Sequence, residues 1–154
     1  METVTVERVI AAPVQDVFDW LTTTTHYEAS PLVLRCRLTR RGAGAPYGVG
    51  AVRRHLWTVG WFEERITGYD PPYATEYTVT RSLPPSRHEL GRMTFTEVDG
   101  GTLVRWTTRA EVRVPFLGPG PTRRLTRLLV HPLVTRAFNS ILDAAATALT
   151  PPAR

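Results

Sequence analysis

The sequence predicts an α+β domain in which a curved antiparallel sheet of about seven strands wraps around one long C-terminal helix, with two short helices after the first strand. Three patterns predict it. Residues 3–10 (TVTVERVI) alternate with the two-residue period of a strand, and residues 32–113 break into β-rich runs separated by short turns. Beyond them, Leu125, Leu128, Leu129, Leu133, Ile141, Leu142, Ala145 and Leu149 recur at helical spacing.

The elements follow in order. Pro13 suits the start of a helix, Asp16 complements its dipole, and Val14, Val17, Phe18 and Leu21 form its apolar face. A polar run from Thr22 to Thr25 ends that helix, and a second short one covers 25–30 before Pro31. Strands are expected near 32–40, 49–57, 61–69, 73–81, 88–98 and 102–114. The turns between them are too short for parallel crossovers, so the strands form an antiparallel meander. Gly118-Pro119-Gly120-Pro121 closes the strand region, and Pro132 predicts a kink near His131 in the final helix.

Two hairpins can be registered. Asp99-Gly100 is a two-residue turn signal that sets Val98 against Gly101, Phe95 against Val104 and Met93 against Trp106. The second is read as a three-residue loop, Thr58-Val59-Gly60, which sets Leu56 against Phe62, Arg54 against Glu64 and Val52 against Ile66, all facing inward. A slip of one residue there would exchange its faces.

Length and composition bound the rest. The 154 residues suit one domain, 1–154, with enough chain to build a core unaided. No window approaches the ~20 apolar residues of a membrane span, and the N-terminus lacks a signal-peptide pattern. A lone cysteine, Cys36, fits a reducing compartment, so the expected location is the cytoplasm. The net charge is +5 and every basic residue is arginine. The arginines are scattered, which fits codon usage better than a nucleic-acid surface, and no nucleic-acid partner is expected.

Three segments resemble the polyketide cyclase/START-like superfamily, also called SRPBCC or Bet v 1-like. They are Val9 to Leu21 (VIAAPVQDVFDWL), Arg65 to Pro72 (RITGYDPP) and Asp99 to Trp106 (DGGTLVRW). The likeness extends over about residues 3–149. It implies a helix-grip fold with a ligand tunnel between sheet and C-terminal helix, and functions from lipid carriage to polyketide cyclisation. Membership does not choose among them.

The residues offer limited chemistry. Arg54 with Glu64 is the sharpest polar feature: an anion-binding or acid/base couple on a cavity wall, or a structural ion pair. Tyr77 on the next strand shares the inward face with Val79, and its hydroxyl needs a partner. Arg54, Glu64 and Tyr77 are the catalytic candidates. The candidate ligand-binding set is Phe18, Tyr27, Leu56, Phe62, Ile66, Tyr77, Met93, Phe95, Val104, Trp106 and Phe138; Phe18, Tyr27 and Phe138, together with Trp20, are lesser lining candidates from the helices. Residues 42–50 (GAGAPYGVG) lack the following helix and Gly-Lys-Ser/Thr of a phosphate loop. They resemble instead a glycine-rich loop of Bet v 1-like proteins that borders a tunnel mouth, and Phe116 and Leu117 are candidates for a second rim. His26, His55, His88 and His131 lack metal-ligand spacing, so neither a metal nor another cofactor is expected. Cys36 between Arg35 and Arg37 reads as a buried thiol rather than a nucleophile.

Three functional readings follow. The first is noncovalent binding of an aromatic, polyketide-like or lipid-like molecule between sheet and helix. The alternative is an enzyme of cyclase or aromatase type that folds a poly-β-ketone by positioning and placed donors. A third reading, a macromolecular partner at Arg123, Arg124 and Arg127, predicts steeply salt-dependent binding. Monomer and homodimer are both compatible with the sequence.

Overall fold

The computed structural model describes residues 1–114 and 116–151; residues 115 and 152–154, part of the expected domain, lie outside the described residues. Strand β1 (Glu2–Ile10) leads into helix α1 (Val14–Thr22) and a 3₁₀ turn (Thr24–Ala29). Six strands follow: β2 (Val33–Arg40), β3 (Val52–Trp57), β4 (Gly60–Asp70), β5 (Ala74–Leu83), β6 (Ser86–Val98) and β7 (Gly101–Val112). The chain ends in α2 (Pro119–Leu125), a π-turn (Thr126–Val130) and α3 (His131–Leu149). The seven strands form one antiparallel sheet in the order β1-β7-β6-β5-β4-β3-β2. This is the helix-grip α+β fold the sequence predicts.

Local chemistry sets the helix ends. Pro13 caps α1 with extended backbone, Val17, Phe18 and Leu21 bury its inner face, and Thr22 Oγ1 bonds back to the Phe18 carbonyl at 2.8 Å as the helix ends. The interruption expected at Pro132 takes the form of the π-turn immediately before it. Proline lacks the N–H that would bond four residues back, and a wider turn absorbs the mismatch. Among the described residues no helix is long and apolar enough to cross a membrane.

The sheet and α3 enclose one main core. Trp106 stacks on Phe138 of α3 with ring centroids 3.8 Å apart, and Phe18 meets Phe95 edge-on at 5.2 Å. Ser30 and Ser140 share a hydrogen bond of 2.6 Å that ties the 3₁₀ turn to α3, and Arg8 of β1 pairs with Asp143. The β6–β7 hairpin has the predicted register, with Val98 opposite Gly101, Phe95 opposite Val104 and Met93 opposite Trp106.

The β3–β4 hairpin does not. Gly60 is the first residue of β4 and pairs with Trp57, so the turn is only Thr58-Val59. Gly60 has φ +151° and lies under the Leu83 carbonyl, where a Cβ would collide, which makes it a strand glycine rather than a loop one. Every β3 residue is therefore displaced by one: Arg53 faces Glu64, Arg54 faces Glu63 and His55 faces Phe62. The inward face of β4 is as predicted, whereas β3 turns Arg53, His55 and Trp57 inward and Arg54 and Leu56 outward.

Candidate functional site

The sheet opens where the site forms. β5 and β6 pair only from Ala74–Thr94 to Tyr77–Gly91, although both strands run further. Beyond Tyr77 the backbone N–H of Val79 donates instead to Nδ1 of His88 at 3.1 Å, so a side chain stands in for a lost ladder bond. With Nδ1 an acceptor, Nε2–H of His88 donates to Thr108 Oγ1 at 2.9 Å. Burial lowers the His88 pKa and favours this neutral form.

Between the parted strands and the start of α3 is a cavity of about 130 Å³. Its sheet side is Trp57, Phe62, Val79, Ala110 and Val112; Val130, Leu133, Val134 and Phe138 close it from the helical side, with Val59 and Pro84 at the turns. Five polar residues also reach the wall: Glu64, Tyr77, Ser86, His88 and Thr108. A smaller hollow of about 40 Å³ adjoins it across Thr108, Ala110, Val112, Val130 and Val134.

Behind Glu64 runs a buried polar chain. Oε2 of Glu64 accepts from Nε of Arg53 at 2.7 Å and from Nε2 of His55 at 2.9 Å. With Nε2–H directed at the carboxylate, Nδ1 of His55 accepts from the Cys36 thiol at 3.0 Å. Burial alone would raise the Glu64 carboxyl, but His55 and Arg53 outweigh it and hold the pKa at about 2. Burial pushes the Cys36 thiol up to about 12, so it stays protonated. Arg53 also lies over the Tyr77 ring, 5.0 Å from its centroid. The Tyr77 hydroxyl accepts from Nε1 of Trp106 at 2.9 Å, and burial raises its pKa.

The predicted residues divide among several environments. Phe62, Glu64, Tyr77 and Phe138 meet at the cavity. Phe18, Tyr27, Met93, Phe95, Val104 and Trp106 pack in the main core, and Tyr27 donates to the Leu21 carbonyl at 2.6 Å. Ile66 belongs to a second cluster with Ala51 and Tyr77. Leu56 is exposed, and Trp20 of α1 is half-buried, stacked on His26 and packed against the main core. Arg54 is not the partner of Glu64: it is half exposed and bonds Glu63 at 2.9 Å, a consequence of the shorter turn. Residues 42–50 fold on themselves, with Gly42 N–H bonded to the Pro46 carbonyl at 3.0 Å, and none lines the cavity. Phe116 and Leu117 are exposed and also lie off its wall.

The polar residues missed were Arg53, His55, Ser86, His88 and Thr108, and with them most of the apolar wall. One usable signal existed for the first two: a one-residue shift of the hairpin turns both onto the inward face beside Glu64. Among the described residues, no group of His, Cys, Asp and Glu could hold a metal ion.

Residues 1–150 match the family model described as polyketide cyclase / dehydrase and lipid transport. No curated protein sequence matches the chain. Among solved structures, the Zhui aromatase/cyclase of Streptomyces sp. R1128 superposes with a TM-score of 0.77 at 19% identity, covering 96% of this chain and 93% of its own. The Thermus thermophilus protein TTHA0849 gives 0.75 at 18% identity, covering 97% and 100%. A START superfamily protein of Mycobacterium smegmatis gives 0.72 at 14% identity, covering 96% of each. At these identities the likeness is one of fold.

Proposed function

We propose that this chain, which belongs to the polyketide cyclase / dehydrase and lipid transport family, binds an apolar small molecule noncovalently in the cavity between the sheet and α3. The observation that carries this reading is a mainly apolar cavity with an ionised, buried carboxylate on its wall. Apolar area removed from water supplies roughly 25 cal/mol per Å² before ordering costs, and the wall is built to provide it. The cavity is close in size to an engineered one of about 150 Å³ that takes up benzene, so it accommodates about one ring of a ligand.

The second reading is a cyclase-type enzyme, favoured by the presence of Glu64, Tyr77, His88 and Thr108 on one cavity wall, where the Tyr77 and His88 rings stack and His88 bonds Thr108. General acid–base catalysis works best with groups that titrate near neutral pH. Glu64, held at about 2, is a weak base, and Tyr77, with its pKa raised, is a weak acid. The strengths of these groups favour binding over turnover.

Native mass spectrometry of protein purified from cells tests the reading. An apolar passenger released on unfolding supports it. A protein that is always empty, and that takes up no small aromatic compound offered at millimolar concentration, overturns it.

A further inference from the structure

The buried polar chain has a direction. Oε2 of Glu64 carries both protein hydrogen bonds, whereas Oε1 receives none among the described residues. Glu64 is on the cavity wall, and Arg53 is not. The cation lies behind the carboxylate, against the Tyr77 ring, with its side chain 2% exposed. A ligand that reaches this part of the wall therefore meets a hydrogen-bond acceptor, not a guanidinium.

Charge balance narrows the ligand class. Arg53 and Glu64 cancel, and the His55 ring, with Nδ1 accepting from Cys36, adds no charge, so the corner is near neutral although Arg53 and Glu64 are each ionised. A second full charge entering an apolar cavity would lack a counter-ion of its own, and such burial is strongly disfavoured. A carboxylate would also face Glu64 directly, and an ammonium group would sit close to Arg53. A neutral hydroxyl has neither difficulty. It donates one hydrogen bond to an ionised acceptor, among the stronger bonds available to a neutral group.

We propose that the cavity selects a neutral ligand with a hydroxyl on its inner end, a phenol or alcohol on an apolar body, and that Glu64 Oε1 accepts its proton in a hydrogen bond. This rests on the binding function proposed above and names the head group that the site takes. The sequence, read with an inward Arg54, left an anion-binding couple, an acid/base couple and a structural ion pair open at this position.

Isothermal titration of the wild-type protein at pH 7 with p-cresol, toluene, p-toluate and 4-methylbenzylammonium tests it. The four share one ring and a methyl group and differ in the opposite substituent. p-Cresol is expected to bind at least about tenfold tighter than each of the others, the factor that one good hydrogen bond supplies. Equal binding of toluene and p-cresol overturns the head-group assignment while leaving apolar binding intact. Tightest binding of p-toluate or of the ammonium compound overturns it as well. Failure of all four, with no passenger in the native mass spectrum, sinks the binding function itself.

A variant adds a second arm. Arg53→Met/Glu64→Leu removes both charges together, so neither is stranded. It is expected to keep toluene binding and to lose the preference for p-cresol. Retention of that preference in the double variant overturns the role of Glu64.

Discussion

Nε of Arg53 donates to Oε2 of Glu64 at 2.7 Å across β3 and β4, and the two side chains are only 2% and 9% exposed. One strand position further on, Arg54 and Glu63 form a pair of similar length, 2.9 Å, at the surface. The hairpin thus holds two arginine–glutamate pairs on opposite faces of the sheet. Their geometry is alike, but water reaches only one of them.

That contrast gives a stability prediction. Arg53→Met leaves Glu64 buried without its main counter-charge and is expected to cost about 3–5 kcal/mol. Arg54→Met breaks a pair whose arginine is 48% exposed, and the expected cost is about 0–1 kcal/mol. Urea unfolding with an unchanged slope measures both. Equal losses, or a greater loss for Arg54→Met, would return the hairpin to the register read from sequence.

Acid should erase the contribution of Glu64. Its pKa falls from an ordinary value of 4.5 to about 2 on folding, so the native state binds the proton less readily than the unfolded chain. Stability from this group is complete above pH 4.5 and declines as pH falls toward 2. The stability gap between wild type and Glu64→Gln should shrink across that window. A gap that stays constant from pH 5 to about 2 would refute the ionised, bonded carboxylate.

How far the sequence foretold this site depends on the turn. Asp99-Gly100 supplies both residues of a tight turn, so the β6–β7 register could be read directly. Thr58-Val59-Gly60 was ambiguous, since Gly60 fits a loop or a strand start, and hydrophobicity favoured turning Leu56 and Val52 inward. Burying Arg53 and His55 looks unfavourable until Glu64 is placed opposite them, and that placement presupposes the register. The separation of β5 from β6 was not legible at all. It depends on a bond from the Val79 backbone to the His88 ring, a contact between side chain and neighbouring strand that has no local signature.

The position of Tyr77 depends on a glycine across the sheet. Tyr77 pairs with Gly91, and a Cβ on residue 91 would strike the Tyr77 ring. Gly91→Ala should displace that ring, break the Trp106–Tyr77 hydrogen bond and cost about 1–3 kcal/mol through overpacking. The sign to look for is a change in tryptophan emission alongside the lower unfolding midpoint. An alanine variant with wild-type emission and stability would mean that Tyr77 has freedom the packing does not suggest.

Filling the cavity should separate stability from binding. Val134 stands on the wall between the two hollows and is half buried, so a larger side chain there has space to enter before it meets packed atoms. Val134→Phe adds apolar area from the helical side of the cavity and alters none of the residues bonded to Glu64. The expected result is stability within about 1 kcal/mol of wild type and p-cresol binding weakened by at least about tenfold, since ring and ligand compete for the same space. Calorimetry and urea unfolding on one preparation provide both numbers. Undiminished p-cresol binding in a well-folded Val134→Phe protein would place the ligand elsewhere, because a cavity of about 130 Å³ has no room for both rings.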